Sequence, residues 1–107
     1  MGYSWRKVME VEQTSEFVEW VTRLADTQAR LRVVQRVDRL SLGNPGDSHA
    51  VGGGVMELRI DYGPGYRVYY TRFKRTVVLL LCGGTKKGQQ GDIDRAIEMA
   101  RQLKKVR

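Results

Sequence analysis

The sequence predicts an α+β domain of order β-α-α-β-β-β-α, with helices segregated to one side of a mostly antiparallel, twisted sheet. Three observations lead there. Residues 14–42 carry two helical periodicities separated by an Asp26-Thr27 break, residues 56–82 hold three strand-like runs punctuated by glycine, and residues 92–105 return to a helical stripe. A chain of 107 residues has room for one modest core, so a single domain spanning 1–107 is expected.

Trp5 to Val11 reads as a first strand with imperfect alternation. Thr14 or Ser15 then offers an N-cap, and Phe17, Trp20, Val21 and Leu24 recur at the spacing of one helix face. A second helix, from about Gln28 to Leu42, is expected to turn Leu31, Val34, Val37 and Leu40 inward and Arg32, Arg36 and Arg39 to another face. So short a connection makes the two helices an antiparallel hairpin. Residues 43–54, GNPGDSHAVGGG, contain five glycines and one proline and read as a loop, with Gly43 as helix C-cap.

Met56 to Tyr62 and Tyr66 to Phe73 alternate apolar and polar residues around Gly63-Pro64-Gly65, which predicts a β-hairpin. With Tyr62 opposite Tyr66, Leu58, Ile60, Val68 and Tyr70 share an apolar face. Glu57, Arg59, Asp61, Arg67, Tyr69 and Thr71 share the other, with Asp61 opposite Arg67 and Arg59 opposite Tyr69. In that register Arg67 is either a functional cation or half of a cross-strand ion pair. Val77 to Cys82 is unbroken apolar sequence, as in a strand covered on both faces. Gly83-Gly84 is expected to stop it and deliver Lys86 and Lys87 at its end. Gly88 to Gly91 reads as a linker, and Asp92 to Lys105 as a final helix with Ile93, Ala96, Ile97, Ala100 and Leu103 inward.

Nineteen Lys and Arg against twelve Asp and Glu give a net charge of +7, which points to an acidic partner such as nucleic acid, an anionic membrane surface or an acidic protein. The one cysteine, Cys82, excludes an internal disulfide and, inside an apolar strand, reads as core. With one histidine, His49, and no cysteine cluster, no metal site is expected. No run approaches the roughly 18 apolar residues of a membrane span, so the expected compartment is the cytoplasm. His49 in its loop is a candidate proton carrier or phosphate contact. Arg32, Arg36 and Arg39 are either a ridge tracking a phosphate backbone or a solvated helix face.

Three blocks, GNPGD at 43–47, GVMELRIDYGPGYRVYY at 54–70 and LLLCGGTKKGQQGDI at 79–93, resemble the RelE/ParE toxin superfamily. The resemblance runs along essentially the whole chain and is strongest to the HigB-like branch called addiction-module killer proteins. It implies a RelE-like fold and a type II toxin neutralised by a cognate antitoxin, usually a helix-turn-helix protein. For RelE-type relatives it implies metal-independent endoribonuclease cleavage of mRNA on the ribosome, with no cofactor. ParE relatives share the fold but inhibit DNA gyrase without cutting anything; a third reading is an inactive relative retained for antitoxin binding. Carried onto this sequence, Arg67 matches the catalytic arginine position and Lys86 another basic catalytic position. Arg59 then becomes a second phosphate clamp, Tyr69 a stacking or hydrogen-bonding group, and Lys87 a companion of Lys86. Two positions depart from the branch's pattern: Gly88 replaces a small hydroxyl residue, and His49 replaces a lysine.

Overall fold

The computed structural model describes residues 8–106. Its elements are β1 (Glu10–Gln13), α1 (Ser15–Thr22), α2 (Thr27–Ser41), β2 (Ser48–Gly52), β3 (Val55–Ile60), β4 (Tyr66–Lys74), β5 (Val77–Thr85), a 3₁₀ turn (Lys86–Gly88) and α3 (Gln89–Lys105). Five strands form one sheet in the order β1-β5-β4-β3-β2. Only the β1 to β5 pairing is parallel. The expected α+β class and mostly antiparallel sheet are thus observed. Of the expected first strand, Trp5 to Lys7 lie outside the described residues, and the observed strand begins only at Glu10.

Two caps fix the helical hairpin. The Thr14 hydroxyl accepts from the Phe17 amide and donates to the Leu81 carbonyl at 2.6 Å, tying the start of α1 to β5. The Asp26 carboxylate accepts from the Gln28 and Ala29 amides, starting α2. The inward face of α2 is the expected one only in part, since Val37 and Leu40 pack on the core as expected but Leu31 and Val34 do not. Ala29, Val33 and Leu40 are buried, whereas Leu31 and Val34 are 49% and 50% exposed. In the first half of the helix Ala29 and Val33 take the inward positions, and Arg36 bonds the carbonyls of Arg59 and Pro45.

The helices are not all on one side. One cluster packs Phe17, Ala29, Val33 and Leu40 against Leu58, Ile60, Val68, Tyr70 and Leu80. A second packs Ile93, Ala96 and Ala100 of α3 against Val55, Tyr69, Leu79, Leu81 and Cys82 on the opposite face. The hairpin face that carries Glu57, Tyr69 and Thr71 is therefore covered by α3, which also explains why β5 is apolar on both sides.

Three boundaries differ from expectation. Residues 48–52, read as loop, form β2, paired antiparallel with β3 through the tight Gly53-Gly54 turn. The helix read as starting at Asp92 begins at Gln89. The glycines read as ending the third strand lie inside β5, which continues to Thr85. Gly83 and Gly84 are close-packing positions. A Cβ on Gly83 would lie 2.2 Å from the Trp20 ring, and one on Gly84 2.0 Å from an Asp92 carboxylate oxygen. Without side chains, β5 admits α1 on one face and the start of α3 on the other.

Gly83→Ala is expected to lower stability by about 1–3 kcal/mol, the usual range for overpacking. Urea unfolding of the variant, alone and combined with Trp20→Leu, checks this: the smaller partner should recover part of the loss, giving a non-additive cycle.

Candidate functional site

The β3 and β4 register places Arg59 directly opposite Arg67, and Glu57 opposite Tyr69. It is shifted by two residues from the expected pairing, so face assignments survive while partners change. The loop is Asp61 to Gly65, longer than the expected three residues. Tyr62 leaves the ladder because its hydroxyl donates to Asp26 Oδ2 at 2.9 Å while Arg32 lies over its ring at 4.5 Å. The expected pairing of Asp61 with Arg67 is therefore not made. Two arginines face each other on one side of the sheet, an arrangement that like-charge repulsion disfavours.

Glu57 offsets that repulsion. Its side chain is wholly buried, and all three of its hydrogen bonds point at the site. Arg59 Nε donates to Oε1 at 2.8 Å, while the Tyr69 hydroxyl and Gln89 Nε2 donate to Oε2 at 3.0 and 2.7 Å. Arg67 Nε lies 3.9 Å from the same Oε2. Burial pushes the Glu57 carboxyl upward, but hydrogen bonds from Arg59, Gln89 and Tyr69 outweigh it, and the group is held below the usual carboxylate range. Tyr69 moves the other way: burial, then its bond to Glu57, pushes the phenol well above its ordinary value.

Arg67 is less fully engaged than Arg59. It is 8% exposed, its Nε has no hydrogen-bond partner, and Nη1 reaches the Tyr66 carbonyl only at 3.4 Å. Lys86 is brought beside it by a backbone bond from the Lys86 amide to the Gly65 carbonyl at 2.8 Å. Gly65 adopts φ +81°, and a Cβ there would sit 3.4 Å from Lys86 Cβ and 3.6 Å from Arg67 Nη1. Arg59, Arg67 and Lys86, with Asp47, Asp61 and the Gly63-Pro64-Gly65 turn, line a cleft of about 340 Å³. A larger concavity of about 470 Å³ between α1 and α3, lined by Thr14, Glu16, Arg95 and Met99 among others, contains none of these cations.

The other expected residues disperse. Tyr69 is 0% exposed against α3, so it cannot stack on a base. His49 lies on β2 opposite Glu57, exposed and 2.6 Å from Asp47 Oδ1. Lys87 is exposed on the 3₁₀ turn, one residue past the cleft. The expected basic ridge on α2 is broken: Arg32 packs on Tyr62, and Arg39 is exposed on the last turn. Arg36 points inward, its Nη1 bonded to the Arg59 carbonyl and its Nη2 to the Pro45 and Asp47 carbonyls at 3.0 and 3.4 Å. Desolvation lowers its pKa from the ordinary arginine value. It braces the cleft from behind and offers no open phosphate contact. Cys82 is buried, its thiol pushed up to about 12 by burial, as suits core.

Glu57 and Gln89 are the site members that sequence reasoning missed. A charged residue alternating in phase with Arg59 was the signal for Glu57; Gln89 lay in what read as linker.

Residues 19–105 match the family described as phage-derived protein Gp49-like (DUF891). The chain belongs to the Gp49-like family. An uncharacterized protein of Haemophilus influenzae (strain Rd) is 40% identical over 95 residues, which cover 89% of this chain and 96% of that protein. The Gp49-like family is associated with toxin-antitoxin systems and related to RelE-type toxins, which implies an antitoxin partner. The matched span contains Glu57, Arg59, Arg67, Lys86 and Gln89. No helix among the described residues is long and apolar enough to cross a membrane.

Because Glu57 titrates lower folded than unfolded, its contribution to stability is complete above its unfolded value of about 4.3 and disappears as pH falls through the folded one. The stability gap between wild type and Glu57→Gln, read from urea midpoints, should therefore narrow as pH drops below about 4. At pH 7, Glu57→Ala should cost about 3–5 kcal/mol, as when one partner of a buried ion pair is removed. Arg36→Ala should cost on the order of 1–3 kcal/mol by leaving carbonyls unpaired, with Arg39→Ala within about 0.5 kcal/mol of wild type.

Proposed function

We propose that this Gp49-like protein is the toxin of a type II toxin-antitoxin pair, of the HigB-like RelE type. In this reading it acts in the cytoplasm as a metal-independent endoribonuclease on mRNA being translated. The observation that supports this best is the convergence of Arg59, Arg67 and Lys86 on one cleft. Arg67 takes the scissile phosphate: it lines the cleft, and Nη1 is held only by a 3.4 Å bond to the Tyr66 carbonyl, while Nε is buried beside Glu57 and takes no part. Arg59, tied at Nε to Glu57 but with its guanidinium half-exposed, clamps a second phosphate oxygen.

Attack by the RNA's own 2′-oxygen, its proton released to solvent, forms the P–O2′ bond and breaks the P–O5′ bond, the 5′-oxygen taking a proton from solvent and a 2′,3′-cyclic phosphate remaining. Fixed guanidinium groups stabilise the negative charge on the five-coordinate phosphorus without reorganising as it forms. Tyr69 acts through Glu57 and does not exchange protons with RNA, since it is buried and its phenol is harder to ionise than usual. Lys86, Asp47 and Asp61 are the titratable groups, besides the arginines, that line the cleft. His49 and Lys87 flank it as outer contacts to the RNA strand.

A second reading is a ParE-like inhibitor that binds DNA gyrase and cuts nothing. The half-exposed Leu31 and Val34 favour it to this extent: the outer face of α2 offers apolar surface suited to a protein.

Primer extension on cellular mRNA after brief induction separates the two. Wild type should give cuts within translated regions, and Arg67→Ala should lower them at least about 100-fold, with Arg59→Ala weaker than wild type. Growth arrest without cuts, abolished by Leu31→Glu and Val34→Glu but kept by Arg67→Ala, would establish the inhibitor reading in its place.

A further inference from the structure

We infer that Glu57, together with Tyr69 and Gln89, is a positioning unit that holds the guanidinium groups of Arg59 and Arg67 in the orientation the cleft uses. The inference deepens the nuclease reading and rests on it for the nature of the substrate. Geometry carries it. The carboxylate is wholly buried beneath two arginines that face each other across β3 and β4, and each of its oxygens is assigned. Oε1 takes Arg59 Nε, and Oε2 takes both Tyr69 and Gln89.

That assignment decides how the two arginines differ. With Oε2 occupied by two neutral donors, Arg67 is kept at 3.9 Å, near enough for its charge to be balanced but not bonded at Nε. Remove Tyr69 or Gln89, and Oε2 is free to bind Arg67 directly, drawing that guanidinium down out of the cleft. The neutral donors thus keep Arg67 available to an anion. Gln89 is also the first residue of α3, directly after the turn that carries Lys86, so the same bond ties the lysine's segment to the arginine pair. Glu57 itself is a positioning residue and not a base, since it is enclosed and all its hydrogen bonds are accepted from the site's own groups.

The test uses the purified protein and reads the arginine Nε–H signals by ¹⁵N NMR, in wild type and in Gln89→Ala, Tyr69→Phe and Glu57→Gln. Inorganic phosphate serves as the anion probe, and mRNA cutting is measured for the same four proteins. Gln89→Ala changes a half-exposed helix-start residue and keeps the variant set informative if Glu57→Gln does not fold. Expected are a shifted and more slowly exchanging Arg67 signal in Gln89→Ala and Tyr69→Phe, at least about tenfold weaker phosphate binding, and cutting reduced about 100-fold, as for an angstrom-scale misplacement. The backbone amide spectrum should stay that of the folded protein. A merely structural role would lower the melting temperature without moving the Arg67 signal or the phosphate affinity. Folded Gln89→Ala and Tyr69→Phe proteins that keep the wild-type Arg67 signal and bind phosphate as wild type does overturn the inference. If the signals and phosphate affinity move while wild type cuts no mRNA, the positioning unit stands and the nuclease reading falls.

Discussion

A carboxylate placed beneath two arginines governs the geometry of this molecule's charged end. Burying Glu57 alone would be costly, and so would setting Arg59 against Arg67 across adjacent strands. Together the two penalties offset each other, leaving a cluster with one net positive charge and two neutral donors on Oε2. Because one of those donors is Gln89, the first turn of α3 must arrive at this point on the sheet. It can do so because Gly84, the cross-strand neighbour of Arg67, leaves room for the Asp92 carboxylate. The packing of the C-terminal helix and the electrostatics of the cleft are thus one constraint.

The same logic accounts for what lies on the other face. The helical hairpin is anchored by Thr14 on β5, by Trp20 over Gly83, by Tyr62 on Asp26, and by Arg36 on the backbone of β3 and of the segment before β2. All four of these anchors are polar or depend on glycine. Arg36 reaches the carbonyl of Arg59 itself, so the cationic face is braced from behind by a third arginine, half-buried and partnered by backbone carbonyls.

How much of this was legible in the sequence follows from the range of the interactions involved. Local signals were sufficient where a cap or an alternation acts within a few residues: the cap at Thr14 or Ser15, the break at Asp26-Thr27, the split of the hairpin into two faces, and the fully covered β5. They failed where a distant residue decided the outcome. Tyr62 looks like a ladder residue until Asp26 and Arg32 take it, which lengthens the turn and changes every cross-strand partner. Leu31 and Val34 look buried because they continue the spacing of Val37 and Leu40, yet Ala29 and Val33 take the inward positions there. Residues 48–52 look like loop because glycine surrounds them, although β3 has an open edge to pair. Gly83-Gly84 looks like a stop because a glycine pair in sequence does not reveal what packs on it. For the site, Arg59, Arg67 and Lys86 came from pattern and resemblance, and their convergence could be guessed. Glu57 and Gln89 could not, because a buried charge is meaningful only once its partners are known.

A site built this way keeps its positive charge fixed at the cost of making that charge partly compensated. An arginine fully paired with a carboxylate has little left to offer an anion, and one left unpaired in a half-apolar setting pays desolvation and swings on a flexible stem. The arrangement around Glu57 lies between these limits. Arg59 is held by a direct bond and gives the cluster its rigidity, while Arg67 is balanced at a distance and retains its donors. Neutral hydrogen bonds from Tyr69 and Gln89 maintain that difference, since they occupy the oxygen Arg67 would otherwise take. The distinction between two chemically identical side chains is therefore set by two uncharged residues, one on the sheet and one on the helix that closes over it.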